Sequence, residues 1–575
     1  MMLGNRNALL KTSESNTNER PFIISALTTL FVAALSTNTV AASPTHTTTN
    51  TIINLGHASY RGLLNETVPN VISWLGIPYA QPPRRFRAPL PLDETPRAHN
   101  ITDAQQFPPF CIQGYSSWLG PNDTGGAGSE NCLYVNVYAP KGITNTSSLP
   151  VVAYIHGGGY FAGNPRSWPF DNWVQRSPTP FVAVSIYYRL SIFGFLSAPE
   201  ELGKGVYEGK DPELLLNAGI HDQRLALQFI QRHIRSFGGD PDRVTIMGQS
   251  AGAGGVGLHL TTRSANQAER LFRRAVVQSW YRSSFALPAA RKEQWEAVTN
   301  SVGCSSNSSN VAHTLECLRK VDPVQLMQAS DNGRKQHSES LWSWLPVIDG
   351  TLFEGNPGSI LRAVPGVDVI VGHTTADSAS GGTPFEAVVN ATYPGLTSTD
   401  LETLRAMYIK AGITEESMAS FGLGEAVFRC GTHFLANLYG PRAHTYRWDE
   451  PDPANPVSAG HSSDNYILYE GARTLSNGTT EFHALTPAQR GLSDEAVAYF
   501  TSFYATADPK VANTPATTHP MWPAHPSGKR IVFRAEGGGT GKIQGKPGGS
   551  FIENLDTGEV ERCKVWNSMV DKLEI

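Results

Sequence analysis

Two rhythms of apolar residues run through this chain. The first is a set of short, near-continuous apolar runs: Pro150-Val151-Val152-Ala153-Tyr154-Ile155, Phe181-Val182-Ala183-Val184-Ser185-Ile186-Tyr187, Arg243-Val244-Thr245-Ile246-Met247, Arg274-Ala275-Val276-Val277-Gln278, Val367-Asp368-Val369-Ile370-Val371 and Ala443-His444-Thr445-Tyr446-Arg447-Trp448. Such runs predict strands covered on both faces, as in a parallel sheet. Cys132 to Tyr138 alternates at period two and predicts a further strand, and Trp74 to Ala80 predicts another, stopped by Pro82-Pro83. The second rhythm is helical. From Asp222 onward, Ala226, Ile230, Ile234 and Phe237 share one face, and Gly238-Gly239 ends the run. Buried strands alternating with helices, with no fixed-period repeat, predict an α/β fold: a mostly parallel sheet covered by helices, in one large domain with insertions.

The start of the chain has a different pattern. Phe22 to Leu35 is apolar, Arg6, Lys11 and Arg20 precede it, and the small residues Val40-Ala41-Ala42 follow. This predicts a secretory signal over residues 1–42, with an uncleaved signal anchor as the alternative. Residues 43–60, opening with the Thr-rich stretch Ser43 to Asn50, are assigned as a leader and residues 61–575 as the folded domain.

Candidate chemistry enters at Gly248-Gln249-Ser250-Ala251-Gly252, which sits between the Arg243–Met247 strand and a helix expected from Ala253. In that context Gly-x-Ser-x-Gly marks a strained turn that exposes a nucleophilic hydroxyl. A Cβ at Gly248 or Gly252 would crowd the turn. Upstream, the strand ending at Ile155 feeds His156-Gly157-Gly158-Gly159. Glycines there let backbone N–H groups face a substrate oxygen, so Gly158, Gly159 and the Ala251 amide are the expected oxyanion donors.

A serine nucleophile needs a base and an orienting acid, in the chain order Ser, acid, His. Among the histidines after Ser250, His461 follows a predicted strand and a Pro/Asp-rich loop, which places it at the carboxyl edge of the sheet. Asp377, just beyond the Val367–Val371 strand, is the acid expected on that edge. Asp368 sits inside the strand and is less free to reach a histidine.

Composition narrows the setting. The 575 residues carry a net charge of −4, with 40% hydrophobic and 17% charged residues, and no basic run or stacking-aromatic motif suggests nucleic acid. Six cysteines fit an oxidised, secreted chain; proximity favours Cys111–Cys132 and Cys304–Cys317, leaving Cys430–Cys563. No cysteine pair has zinc-ligand spacing. Asn65, Asn100, Asn122, Asn145, Asn307, Asn390 and Asn477 head glycosylation sequons. Gly537-Gly538-Gly539-Thr540-Gly541-Lys542 lacks the first glycine of a phosphate loop and has Ile543 where Ser or Thr is needed, so it reads as a surface loop.

From about Gly62 to the end the chain resembles the type-B carboxylesterase/lipase family, the cholinesterase-like branch of the α/β-hydrolases, and its secreted fungal members in particular. The likeness rests on Gly76-Ile77-Pro78-Tyr79-Ala80, Ser129-Glu130-Asn131-Cys132-Leu133-Tyr134-Val135-Asn136-Val137, the glycines after His156, Tyr188-Arg189-Leu190 with Phe193-Gly194-Phe195-Leu196, Asp222-Gln223, Phe237-Gly238-Gly239-Asp240-Pro241 and the Ser250 turn. The resemblance implies an α/β-hydrolase fold and hydrolysis of a small or lipid-like ester without cofactor or metal. It also implies Asp377 as acid, His461 as base with Asp464 three places on, the same three disulfides, and ion pairs Arg85–Glu130 and Arg189–Asp222.

The chain departs from the family at several points. Gln249 stands where Glu is usual, Asp377 where Glu is commoner, Ser378 and Trp280 where Gly is common, and Asn131 where Asp is usual. Trp280 is expected either to narrow the pocket or to pack at the surface. Trp118 is offset from the choline-contacting tryptophan of cholinesterases, so a cationic choline site is not expected. The first disulfide loop, with Pro121-Asn122-Asp123-Thr124-Gly125-Gly126 at its centre, has little apolar surface, which favours an esterase over a lidded lipase. A non-catalytic adhesion protein of the same fold is the rival from another class.

Overall fold

A computed structural model describes residues 51–573, apart from 117–124, 200–211, 262–269, 283–284, 306–310, 337–342, 354, 356–359, 361, 379–381, 454–455, 475–479, 512–518 and 538–548. The signal segment, residues 117–124 of the first disulfide loop with Trp118, and most of the glycine run after Gly537 lie outside the described residues, as do Asn122, Asn307 and Asn477.

The strands in chain order are β1 (Ile52–Asn54), β2 (Ser59–Leu64), β3 (Val71–Pro78), β4 (Ile101–Ala104), β5 (Tyr134–Pro140), β6 (Leu149–Ile155), β7 (Val182–Ile186), β8 (Gly239–Gln249), β9 (Arg274–Gln278), β10 (Asp368–Thr374), β11 (Ala443–Trp448), β12 (Ala472–Thr474), β13 (Thr480–Phe482), β14 (Lys529–Phe533) and β15 (Phe551–Asn554). All but β12 and β13, which pair with each other, join a 13-stranded sheet ordered β1-β2-β3-β5-β7-β6-β8-β9-β10-β11-β14-β15, with β4 beside β2. The block from β7 to β14 is parallel throughout. β3 and β5 pair antiparallel on one flank and β15 on the other. Because β1 and the start of β2 belong to the sheet, folded structure begins inside the stretch assigned as leader, ahead of residue 61.

The apolar runs are continuous because both faces of the central strands are covered. Along β6, Val151, Ala153 and Ile155 join one core cluster, while Val152 and Tyr154 join another on the opposite face. That is the two-residue alternation of a strand between two packed layers. The first cluster takes in Leu225, Ala226, Leu227, Phe229 and Ile230 of the helix Ala218–His233; the second takes in Val497, Phe500 and Tyr504 of the helix Pro487–Thr506. The helix expected from Asp222 starts four residues earlier, at Ala218, and passes through a 3-10 turn, Ile234–Phe237, to Gly238 at φ 79°.

The three disulfides join Cys111–Cys132, Cys304–Cys317 and Cys430–Cys563. Both ion pairs are present: Arg85 Nε donates to Glu130 over 2.8 Å, and buried Arg189 grips Asp222 through Nε at 2.8 Å and Nη2 at 2.7 Å. Among the described residues no helix is long and apolar enough to cross a membrane, and no cluster of three metal-binding side chains occurs.

Candidate active site

Parallel strands bring their carboxyl ends to one edge, where ligand sites of open α/β sheets collect. Here β6 ends before His156, β8 before Ser250, β9 before Ser279, and β10 just before Asp377. The loop after β11 is tied to the loop after β10: Thr375 N–H donates to Trp448 O at 2.8 Å and Ala376 N–H to Ala459 O at 2.9 Å. That zipper sets Asp377 and His461 side by side.

Ser250 occupies the left-handed region at φ 57°, the strain a nucleophile elbow requires. Its N–H donates to Gln278 O at 3.0 Å, and its carbonyl accepts from Gly254 N–H at 2.9 Å, so the turn is fixed from both sides. A Cβ at Gly248 would overlap the Gly252 backbone, and one at Gly252 would overlap Ile155 O. Only glycine lets the helix Ala251–Thr261 pack this close to β6 and β8.

His461 completes a hydrogen-bonded chain. Its Nε2 is 2.8 Å from Ser250 Oγ and its Nδ1 is 2.6 Å from Asp377 Oδ1. The imidazole is 28% exposed and the aspartate side chain fully buried. Asp377 Oδ2 accepts from Ser279 Oγ at 2.7 Å and from Thr374 N–H at 2.8 Å. Burial alone would raise this carboxyl, but the bonds from His461 and Ser279 outweigh it and hold it below the usual aspartate range. Asp368 begins β10 at the opposite edge and faces Arg442 at 3.6 Å, so it is not brought to Ser250.

The glycine run lies against the elbow: a Cβ on Gly157 would stand 2.5 Å from Gln249 O and 2.9 Å from Ser250 Cβ. Gly158 and Gly159 have φ of 113° and 62°, conformations open to glycine. Among the described residues, no backbone acceptor takes a hydrogen bond from the N–H of Gly158, Gly159 or Ala251. N–H groups so placed beside the Ser250 hydroxyl are able to donate to a bound oxygen. His156, stacked on Tyr188 at 4.4 Å, is pushed down to about 4 by burial and adds no charge near neutral pH.

Two neighbours, Ser279 and Phe428, were not legible in the sequence, whereas Gln249 was. Ser279 was not singled out, because its role depends on β9 and β10 lying adjacent. Gln249 points its amide at His461 Nε2, 3.4 Å away, where a family-typical Glu would place a charge. Phe428 lays its ring over the imidazole, centroids 4.3 Å apart. Asp464 is fully buried, accepting from Tyr446 Oη and Gln278 Nε2 at 3.1 Å each; burial and nearby Asp377 push it up to about 6. Trp280 is buried, not superficial: its indole fills space that a side chain at Gly257 or Gly431 would occupy.

The carboxylesterase family model matches residues 49–540. Secreted lipase 4 of Gibberella zeae is 33% identical over 366 residues, 60% of this chain and 62% of that protein. An acetylcholinesterase of Bungarus fasciatus is 34% identical over 322 residues, 53% of this chain and 49% of that protein. The match thus spans only about half to three-fifths of the length of these curated relatives. The crystal structure of Aspergillus niger EstA superposes with a TM-score of 0.74 at 28% identity, covering 91% of this chain and 99% of that one. With a family match over most of its length and an α/β-hydrolase sheet beneath its serine elbow, the chain belongs to the carboxylesterase family.

Proposed function

We propose that this protein is a secreted serine hydrolase that cleaves carboxylic esters through Ser250, His461 and Asp377. The observation that carries the reading is the unbroken chain from Ser250 Oγ through His461 to Asp377, with contacts of 2.8 and 2.6 Å. His461 Nε2 takes the hydroxyl proton as Ser250 Oγ attacks the ester carbonyl. The carbonyl oxygen becomes an oxyanion, held by the N–H groups of Gly158, Gly159 and Ala251. Collapse expels the alcohol, protonated by His461, and leaves an acyl-enzyme. Water, deprotonated by His461, attacks the acyl carbon, and the acid departs as the proton returns to Ser250. Asp377 stays ionised and fixes the imidazole tautomer.

Three disulfides and the secreted fungal relative support an extracellular setting. Glycosylation at the sequons belongs to the same reading: Asn100, Asn145 and Asn390 are exposed and Asn65 partly so. The lipase named among the relatives keeps a second reading in play, action at a lipid interface. Against it, the start of the first disulfide loop is pinned, with Gly114 N–H donating to Phe161 O at 2.6 Å and Gln113 Nε2 to Gly163 O at 3.0 Å. Hydrolysis of nitrophenyl esters of rising acyl length, below and above their solubility limits, tests both. A soluble-ester enzyme favours short chains and shows no jump at the limit, whereas a jump indicates a lipase. An adhesion protein would show no hydrolysis.

A further inference from the structure

Two hydrogen bonds hold the His461 ring, at Nδ1 and at Nε2. Together they define an axis across the imidazole, and neither resists tipping about it. Something must bear on the ring face, since a misplacement of about 1 Å costs on the order of 10²-fold in rate. Phe428 occupies that face: the planes are 32° apart, the centroids are 4.3 Å apart, and Phe428 itself is buried.

Phe428 is presented by an irregular backbone. The helix Glu415–Gly424 passes into a π-helical turn, Glu425–Arg429, before regular helix resumes at Cys430–Tyr439. Such a turn carries one residue too many for good helical bonding and recurs at functional sites. At its start, a Cβ on Gly424 would overlap the carbonyl oxygen of Asp377, so this backbone abuts the acid's loop as well as the base. The carbonyl of Val427 accepts from Arg282 N–H at 2.9 Å.

The turn is braced from behind by the helix Thr557–Ser568. The fully buried Glu425 carboxylate accepts from Arg562 Nε at 2.9 Å and from Tyr408 Oη at 2.8 Å, and Trp566 Nε1 donates to Tyr408 Oη at 2.6 Å. Cys430, the first residue after the turn, is bonded to Cys563, the neighbour of Arg562. Asn567 accepts from Arg282 Nη1 at 2.9 Å and donates to Cys430 O at 3.3 Å. Charge contacts from one helix therefore hold Glu425, at the start of the turn, and disulfide and amide contacts from the same helix hold Cys430, just after it, with Phe428 carried between them.

We propose that Phe428 is a positioning residue for the His461 imidazole, and that the helix Thr557–Ser568 sets its place through the Glu425–Arg562 pair. The inference rests on the hydrolase reading above. It goes beyond that reading by tying the imidazole to a helix distant in sequence.

The test compares the parent protein with Phe428→Ala, Arg562→Met and the double variant on a short-chain nitrophenyl ester. Rates are counted per serine titrated with a fluorophosphonate. Phe428→Ala is expected to lower kcat by roughly 10- to 10²-fold with KM little changed, the signature of lost orientation and not of lost binding. Phe428→Tyr, which keeps a flat ring, restores kcat to within about threefold of the parent. Arg562→Met lowers kcat by a smaller factor, and the double variant is no slower than Phe428→Ala, because the arginine acts through the ring. An unchanged kcat in Phe428→Ala, a loss carried by KM, or losses that multiply in the double variant would each overturn the proposal. If the alanine variant does not fold, Phe428→Leu keeps bulk without the flat face and is read the same way. A folded parent with no titratable serine refutes the hydrolase reading itself, an outcome distinct from any of these.

Discussion

The Ser279 hydroxyl donates to Oδ2 of Asp377 over 2.7 Å, leaving Oδ1 to His461. Ser279 is fully buried and strained at φ 51°, so its hydroxyl is aimed and not merely nearby. Replacing it with alanine leaves a buried carboxylate short of one donor. A hydrogen bond to a charged group is worth about 1.5–3 kcal/mol, so Ser279→Ala should lower kcat by roughly 10- to 10²-fold at near-constant KM. Steady-state kinetics on one soluble ester check this.

Gln249 sits where an anion would act on the imidazole. Gln249→Glu places a carboxylate beside His461 Nε2, now 3.4 Å from an amide nitrogen. A nearby negative charge favours the protonated ring, so the acidic limb of the kcat/KM profile should move toward higher pH, by about one unit. A pH–rate series on both proteins reads the shift.

The glycines carry a steric prediction. Gly158 has φ 113°, and a Cβ there would overlap Ala162 O. Gly158→Ala should turn the N–H away from the oxyanion and reduce kcat by about 10²–10³-fold, the usual cost of one such donor. Circular dichroism should show the fold retained.

Stability should fall on acidification. His156 is held neutral, its folded value of about 4 lying below the 6.5 of an unfolded histidine. Between those values the unfolded chain binds more protons, so stability declines as pH drops from 6.5 toward 4. This one group accounts for a loss on the order of 3 kcal/mol. Glu559, held well below the usual range against the opposing effect of burial by Arg530 and His433, acts in the same sense at lower pH: its contribution is present above about 4.5 and lost below. Calorimetric Tm across this range should decline less steeply for His156→Gln than for the parent.

Much of the sheet was legible because β6 to β11 are covered on both faces and so leave continuous apolar runs. The Ser250 elbow and the glycines after His156 were legible because their constraints are local: a tight turn and a close backbone approach each demand glycine within a few residues. β1, β2, β14 and β15 were harder to read; they lie toward the sheet's flanks, and β1 and β15 bury little. Asp377 was legible as the residue just past a buried strand, and the direction of β10 carries it to the active edge and leaves Asp368 at the far end. Ser279, Phe428 and Arg562 gave no signal, since their roles arise where distant segments pack. Of the two readings of Trp280, packing at the surface is overturned: Gly257 and Gly431 make room for its ring in the interior.

The most direct measurement is mass spectrometry of the folded protein after reaction with a fluorophosphonate probe. The expected result is one adduct per chain, on the peptide containing Ser250, absent in Ser250→Ala and greatly slowed in His461→Ala. Folded protein that takes no label, or a Ser250→Ala variant that hydrolyses esters at the parent rate, would contradict the assignment.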